Sequence, residues 1–189
     1  MQKFFNITNE TEHVVKIELV NGKKHNPLSI ELIKQLKNSL IQISSQKKVK
    51  VLIISSEGPG FSAGHDLDEL RKNKNNKKFF NELFNECSNL MQTIINLPQP
   101  VIAEVCGIAA AAGCQLVASC DLAVASEQAS FMTPGVNIGL FCSTPMVAVS
   151  RNLSRKKIME MLLTGEKLSA KDAVDYGLIN HCVPINQLH

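Results

Sequence analysis

The chain has no tryptophan and a single tyrosine, Tyr176, and only 5% of its residues are aromatic. That excludes a base-stacking platform for single-stranded nucleic acid, which needs rows of aromatic rings. Its six cysteines (Cys87, Cys106, Cys114, Cys120, Cys142 and Cys182) form no C-x-x-C pair. A zinc ribbon and a thioredoxin motif are therefore unsupported. No apolar run approaches the roughly 20 residues that span a bilayer. Excess charge is small: 20 Lys and Arg against 17 Asp and Glu leave +3. That is far from the basic footprint of a nucleic-acid binder. Met1 to Glu12 holds neither a secretory apolar core nor an Arg-rich amphipathic pattern.

What remains is the composition of a globular protein, with 44% apolar and 20% charged residues. The 189 residues suit one domain, 1–189. Most of the cysteines sit among apolar neighbours and read as small core residues in a reducing compartment. Positive charge gathers at Arg71, Lys72, Lys74, Lys77 and Lys78, interleaved with Asn73, Asn75 and Asn76. A solvated helix start is the plain reading; a cationic rim for a phosphorylated ligand is the sharper one.

Val15, Ile17 and Leu19 alternate within a strand from His13 to Val20, closed by the Asn21-Gly22 turn signal. Ser29 caps a helix bearing Ile30, Ile33, Leu36, Leu40 and Ile43 at helical spacing. Val49 to Ile54 is a continuous apolar run and reads as a strand buried on both faces. A second helix carries Phe80, Leu83, Phe84, Cys87, Leu90, Met91 and Ile94, and Pro98 and Pro100 end it. Val101–Val105, Leu122–Ala125 and Ile179–Val183 read as strands. Met146–Asn152, Arg155–Leu163 and the segment capped by Ser169 read as helices. Helix and strand alternate, so the fold class is α/β with a mostly parallel sheet.

Two loops follow buried strands and consist largely of small residues. One is Phe61-Ser62-Ala63-Gly64-His65-Asp66-Leu67. The other is Gly107-Ile108-Ala109-Ala110-Ala111-Ala112-Gly113-Cys114-Gln115. Ligands of open α/β folds bind beyond the carboxyl ends of strands. The second loop opens a helix, whose free N–H groups favour negative charge. Two N–H groups from two such loops can hold one oxygen, the geometry of an oxyanion hole. Tight helix–sheet packing explains the same small residues equally well.

These two loops resemble the paired signatures of the crotonase (enoyl-CoA hydratase/isomerase) superfamily. Leu116 to Ala125 is similar to the helix and strand after its second signature. Met161-Leu162-Leu163-Thr164-Gly165-Glu166, with Ala170, Ala173, Gly177 and Leu178, is similar to a later helix pair of the family. The similarity runs from about Val14 to Val183. It implies a spiral of ββα repeats that binds an acyl-CoA thioester, with no cofactor beyond the coenzyme A moiety and no metal. It implies that the N–H groups of His65 and Ala112 hold the thioester carbonyl, so Ala112 must adopt a suitable backbone conformation. It places coenzyme A at Lys24, His25, Ala63, Asp66 and Leu67. The His65 imidazole itself is expected to point away, and Asp66 to fix the loop rather than act as a base.

Hydratases of the family use two glutamates. The matching positions here are Gln115 and Gly135. An amide orients water but does not take its proton, and glycine offers nothing. Asn137, Cys142, Ser143 and Thr144 lie just beyond and are candidate replacements, packing being the plainer role. Standard hydratase chemistry is therefore not expected. The expectation is either a crotonase-type enzyme of acyl-CoA metabolism or an inactive acyl-CoA binder. The resemblance also implies a homotrimer, in the cytoplasm of a bacterium or the mitochondrial matrix of a eukaryote. Relatives continue past the last strand with helices that build the trimer. The chain thus reads as C-terminally truncated, with apolar surface exposed at that end and a weaker trimer. No nucleic-acid or membrane partner is expected.

Overall fold

The computed structural model describes residues 3–189. Met1 and Gln2, the first residues of the expected 1–189 domain and of the Met1–Glu12 segment, lie outside the described residues. Among the described residues, ten strands form two sheets. The larger has six strands in the order β1-β2-β3-β5-β7-β10, the smaller four in the order β4-β6-β8-β9. In the large sheet β1 (Phe5–Asn9) pairs antiparallel with β2 (Val14–Leu19). Next come β3 (Val51–Ser56), β5 (Val101–Val105), β7 (Leu122–Ser126) and β10 (His181–Val183), all parallel. The small sheet takes β4 (Gly60–Ser62), β6 (Ile108–Ala110) and β8 (Ser130–Met132) in parallel, with β9 (Leu168–Ser169) antiparallel at its edge.

Each repeat gives one strand to each sheet and then a helix. β3 and β4 precede α2 (Leu67–Lys72) and α3 (Lys77–Asn96). β5 and β6 precede α4 (Ala112–Ser119). β7 and β8 precede α5 (Ser143–Val149). The result is the expected spiral. Ahead of it lies α1 (Ile30–Ser44), and α6 (Arg155–Thr164) and α7 (Ala170–Asp175) close the chain.

The hydrophobic pattern explains the core. Val15, Ile17 and Leu19 of β2 are buried, as are Leu32, Ile33, Leu36, Leu40 and Ile43 of α1. Leu83, Cys87, Leu90, Met91 and Ile94 of α3 join them in one cluster. Each such side chain contributes about 1.5–3 kcal/mol on leaving water. Ser29 caps α1 by accepting from the Leu32 N–H, and Ser169 caps α7 by accepting from Asp172. Asn76 caps α3, so Lys77 and Lys78 open a helix, whereas Arg71 and Lys72 end α2.

Three expectations need correction. The strand over Val49–Ile54 begins at Val51, and its second face is only half covered. The cause is its neighbour: Ile53 stands in register with Lys16, whose ammonium pairs with Glu104 at 3.0 Å on that face. Phe84 belongs to the α3 stripe by spacing yet is 42% exposed, because it leans toward His65 instead of the core. Met146–Asn152 shifts to Ser143–Val149. Strands β1, β4, β6, β8 and β9 have no counterpart in the periodicity. Four of them have only two or three residues, too few for alternation to register.

Candidate functional site

β4 and β6 are parallel neighbours, with Gly60 opposite Ile108 and Ser62 opposite Ala109. Their carboxyl ends therefore release the two small-residue loops side by side. A methyl group on Gly64 would lie 3.0 Å from the Ala110 carbonyl oxygen and 3.2 Å from the Ala112 nitrogen. One on Gly113 would lie 2.3 Å from the Ser62 carbonyl oxygen. Only glycine lets α4 approach β4 this closely.

The first loop is pinned along one edge. Leu28 N–H donates to the Gly64 carbonyl at 2.8 Å, and Asp66 N–H donates to the Leu28 carbonyl at 3.4 Å. This parallel bridge between Leu28 and His65 turns the His65 N–H to the opposite side. The second loop is strained instead. Ala111 sits at φ 49°, ψ −116°, a conformation glycine adopts freely and alanine does not. The cost is about 1–3 kcal/mol. The special conformation therefore belongs to Ala111, and Ala112 is simply the first residue of α4. Among the described residues, no acceptor is paired with the N–H of His65 or of Ala112. Buried N–H groups are nearly always paired, and Ala112 is only 1% exposed.

The His65 imidazole is tucked beneath Phe84, ring edge to ring face, with centroids 5.6 Å apart. Both ring nitrogens are buried without a hydrogen-bond partner. Burial pushes its pKa below the ordinary value, against a smaller opposing pull from the Leu28 backbone. Asp66 caps α2, its Oδ1 accepting from Asp68 N–H at 2.9 Å and Glu69 N–H at 3.2 Å. That is the loop-fixing role expected of it. Glu69 in turn accepts from the Ile30 N–H at 3.0 Å, tying α2 to the start of α1. Its pKa is raised, chiefly by burial. A groove of about 450 Å³ runs between these helix starts, lined in part by Asn21, Ser29, Glu31, Asp66 and Glu69.

Lys24, His25, Ala63 and Leu67 are exposed. The Ala63 N–H donates to the His25 carbonyl at 2.8 Å, so the two expected coenzyme A segments lie edge to edge. Gln115 is 6% exposed in the first turn of α4, and its Oε1 is buried without a partner. At Gly135 a side chain would start 2.8 Å from the Cys142 Sγ and 2.8 Å from the Leu140 carbonyl oxygen. The thiol thus fills the space that the second acidic side chain would need. Burial raises the Cys142 pKa, so it is no activated thiolate. Asn137, Ser143 and Thr144 are exposed, and Asn137 leans on Gly165.

Pattern reading passed over Asn26, Ser62 and Ala111. The Asn26-Pro27 pair is a turn signal that could have drawn attention to the first. Among the described residues, no group of three His, Cys, Asp or Glu is arranged to hold a metal ion, and no helix is long and apolar enough to cross a membrane.

A spiral of ββα units with two small-residue loops meeting at adjacent strand ends defines an α/β protein of the crotonase type. Residues 9–189 match the enoyl-CoA hydratase/isomerase family model, and the chain belongs to that family. It is 50% identical over 179 residues to human "Enoyl-CoA hydratase domain-containing protein 3, mitochondrial", covering 95% of this chain and 59% of that protein. The rat protein of the same name is 49% identical over 181 residues, 96% of this chain and 60% of the relative. The chain thus spans about 60% of the length of these curated relatives. The crystal structure of an enoyl-CoA hydratase from Mycobacterium smegmatis superposes with a TM-score of 0.95 at 42% identity, over 99% of this chain and 72% of that one. That of human enoyl coenzyme A hydratase domain-containing protein 3 gives 0.94 at 48%, over 98% and 73%.

Proposed function

We propose that the chain binds an acyl-CoA thioester and holds its carbonyl oxygen between the N–H groups of His65 and Ala112. One observation carries this reading. Two N–H groups, both lacking an acceptor among the described residues, stand on loops that leave the ends of adjacent parallel strands. Donors fixed in this way stabilise the negative charge of an enolate or tetrahedral oxyanion, and each is worth about 10²–10³ in rate. Coenzyme A would lie along Lys24, His25, Ala63, Asp66 and Leu67, with no cofactor beyond its own moiety. The relatives' printed names point to acyl-CoA metabolism and, for a eukaryotic chain, to the mitochondrion. A single crotonase-like domain over 1–189 completes the proposal.

Within this reading Gln115 orients water or substrate through its amide. It supplies no proton acceptor, and Gly135 supplies no side chain. Loss of a positioned acid or base removes about 10²–10⁴ in rate. A second reading, an acyl-CoA binder without catalysis, is favoured by one feature: the Cys142 thiol occupies the space beside Gly135.

Calorimetry with butyryl-CoA and with free coenzyme A tests the binding claim. The thioester should bind more tightly; the absence of heat and of thermal stabilisation with either ligand would contradict it. Turnover across enoyl-, hydroxyacyl- and malonyl-type thioesters separates enzyme from binder. The thiol and the Leu140 carbonyl oxygen both crowd a side chain at position 135, so Gln115→Glu with Gly135→Glu should gain more hydratase activity with Cys142→Ala added than without it. Equal activity with Cys142 present would refute that steric account.

A further inference from the structure

Asn26 is fully buried, with 0% exposure, and lies in the left-handed region at φ 48°, directly after His25 at φ 57°. Two consecutive non-glycine residues there are unusual, although asparagine tolerates the region better than most. Its hydrogen-bonding groups are all engaged. Its Oδ1 accepts from the Asn21 N–H at 2.7 Å. Its Nδ2 donates to the Glu57 carbonyl at 3.0 Å and the Gly60 carbonyl at 2.9 Å. Its N–H donates to the Asn21 carbonyl at 3.0 Å. Its own carbonyl accepts from the Ser62 hydroxyl at 2.9 Å.

Ser62 carries the chain of contacts onward. Its Oγ accepts from the Gly64 N–H at 3.3 Å, one residue before His65. Its carbonyl oxygen is the atom against which Gly113 packs, one residue after Ala112. The same two residues therefore bear on both of the unpaired N–H groups. They also set the path of the Lys24–His25 segment, since the His25 carbonyl takes the Ala63 N–H. A buried asparagine in a strained conformation that ties the turns after β2 and β3 to the strand feeding a site reflects a need to fix that segment.

We infer that Asn26, acting through Ser62, is a positioning residue that sets the two N–H groups to a common point where they polarise a bound thioester carbonyl. The inference rests on the acyl-CoA reading above. Asn26 touches neither the thioester nor the coenzyme in this account; it acts through Ser62, Gly64 and Gly113.

The test uses the full 189-residue chain and isotope-edited infrared spectra of butyryl-CoA labelled with ¹³C at the carbonyl. Wild-type protein should move the bound carbonyl band to lower frequency than in solution. Asn26→Asp keeps the acceptor and loses both amide donors. Ser62→Ala removes the hydroxyl relay and is the milder change should Asn26→Asp fail to fold. In both, the band should return toward its solution position, and the preference for butyryl-CoA over free coenzyme A should fall about tenfold. Ser62→Thr, which restores a hydroxyl, should recover the band shift. Variants that bind with the full wild-type band shift overturn the positioning role, even if they are less stable. No band shift in the wild-type protein overturns the acyl-CoA reading itself, a different failure.

Discussion

The two loops that present the unpaired N–H groups are held in opposite ways. The loop at residues 62–66 is held by the Ser62 hydroxyl, which donates to the Asn26 carbonyl and accepts from the Gly64 N–H, and by the Asp66 carboxylate, which accepts from the Asp68 N–H. The start of α4 at residues 111–115 has no side-chain cap. It is held by close packing, with Gly113 on the Ser62 carbonyl and Ala111 forced to positive φ. A polar network thus holds one loop and steric packing the other. The packed loop should respond to volume, and the bonded loop to lost partners and to pH.

The largest effect is expected on the packed side. Gly113→Ala puts a methyl group 2.3 Å from the Ser62 carbonyl oxygen, so backbone must move. We expect a loss of about 3 kcal/mol or more, read as a large fall in Tm. A fall of under 1 kcal/mol would break the claim that contact with Ser62 sets this loop.

On the bonded side, the depressed pKa of His65 predicts acid sensitivity. Above about pH 6.5 the imidazole is neutral in both folded and unfolded chains and adds no pH dependence. As pH falls below that value the unfolded chain takes up the proton first. Stability then declines by at most about 1.4 kcal/mol per pH unit until the folded pKa is reached. Denaturant melts at several pH values between 7.5 and 5 should show less decline in His65→Gln than in wild type. Parallel declines would remove His65 from the account.

Asp66→Ala removes the cap of α2 and should cost about 1 kcal/mol, mainly through local opening of residues 66–70, seen as faster amide exchange there. The smallest effect has the opposite sign. Ala111→Gly relieves the positive φ and should raise stability by about 0.5–1 kcal/mol. Destabilisation would show that the alanine side chain contributes packing that outweighs its strain.

Much of this contrast was legible in the chain itself, and the unequal legibility follows from its physics. The 3.6-residue spacing of Ile33, Leu36, Leu40 and Ile43 marks a helix because one face must be buried. Val15, Ile17 and Leu19 mark a strand for the matching reason. The Gly-Ala run and the Phe61–Leu67 loop gave away the strand ends by their small residues. Asn26 was hidden because a single polar residue next to a proline looks like any turn; only the fold brings Glu57, Gly60 and Ser62 around it. Ala111 was hidden because positive φ normally advertises itself as glycine. Gly135 shows in the sequence only as the lack of an acid, whereas its contact with Cys142 arises from the turn between β8 and α5.

The surface presents a further contrast. Ile138, Leu140, Phe141 and Val147 are 46–64% exposed, all within the turn after β8 and α5 itself. At the C-terminal end Leu188 is buried and Ile185 is 42% exposed. Apolar exposure is denser in this earlier segment than at residues 181–189.

The central claim is that two differently held loops aim two N–H groups at one oxygen. A crystal structure with butyryl-CoA bound tests it most directly. The account predicts the thioester oxygen at about 2.7–3.1 Å from the nitrogens of both His65 and Ala112. A bound thioester whose oxygen contacts neither nitrogen, or only one, would contradict it.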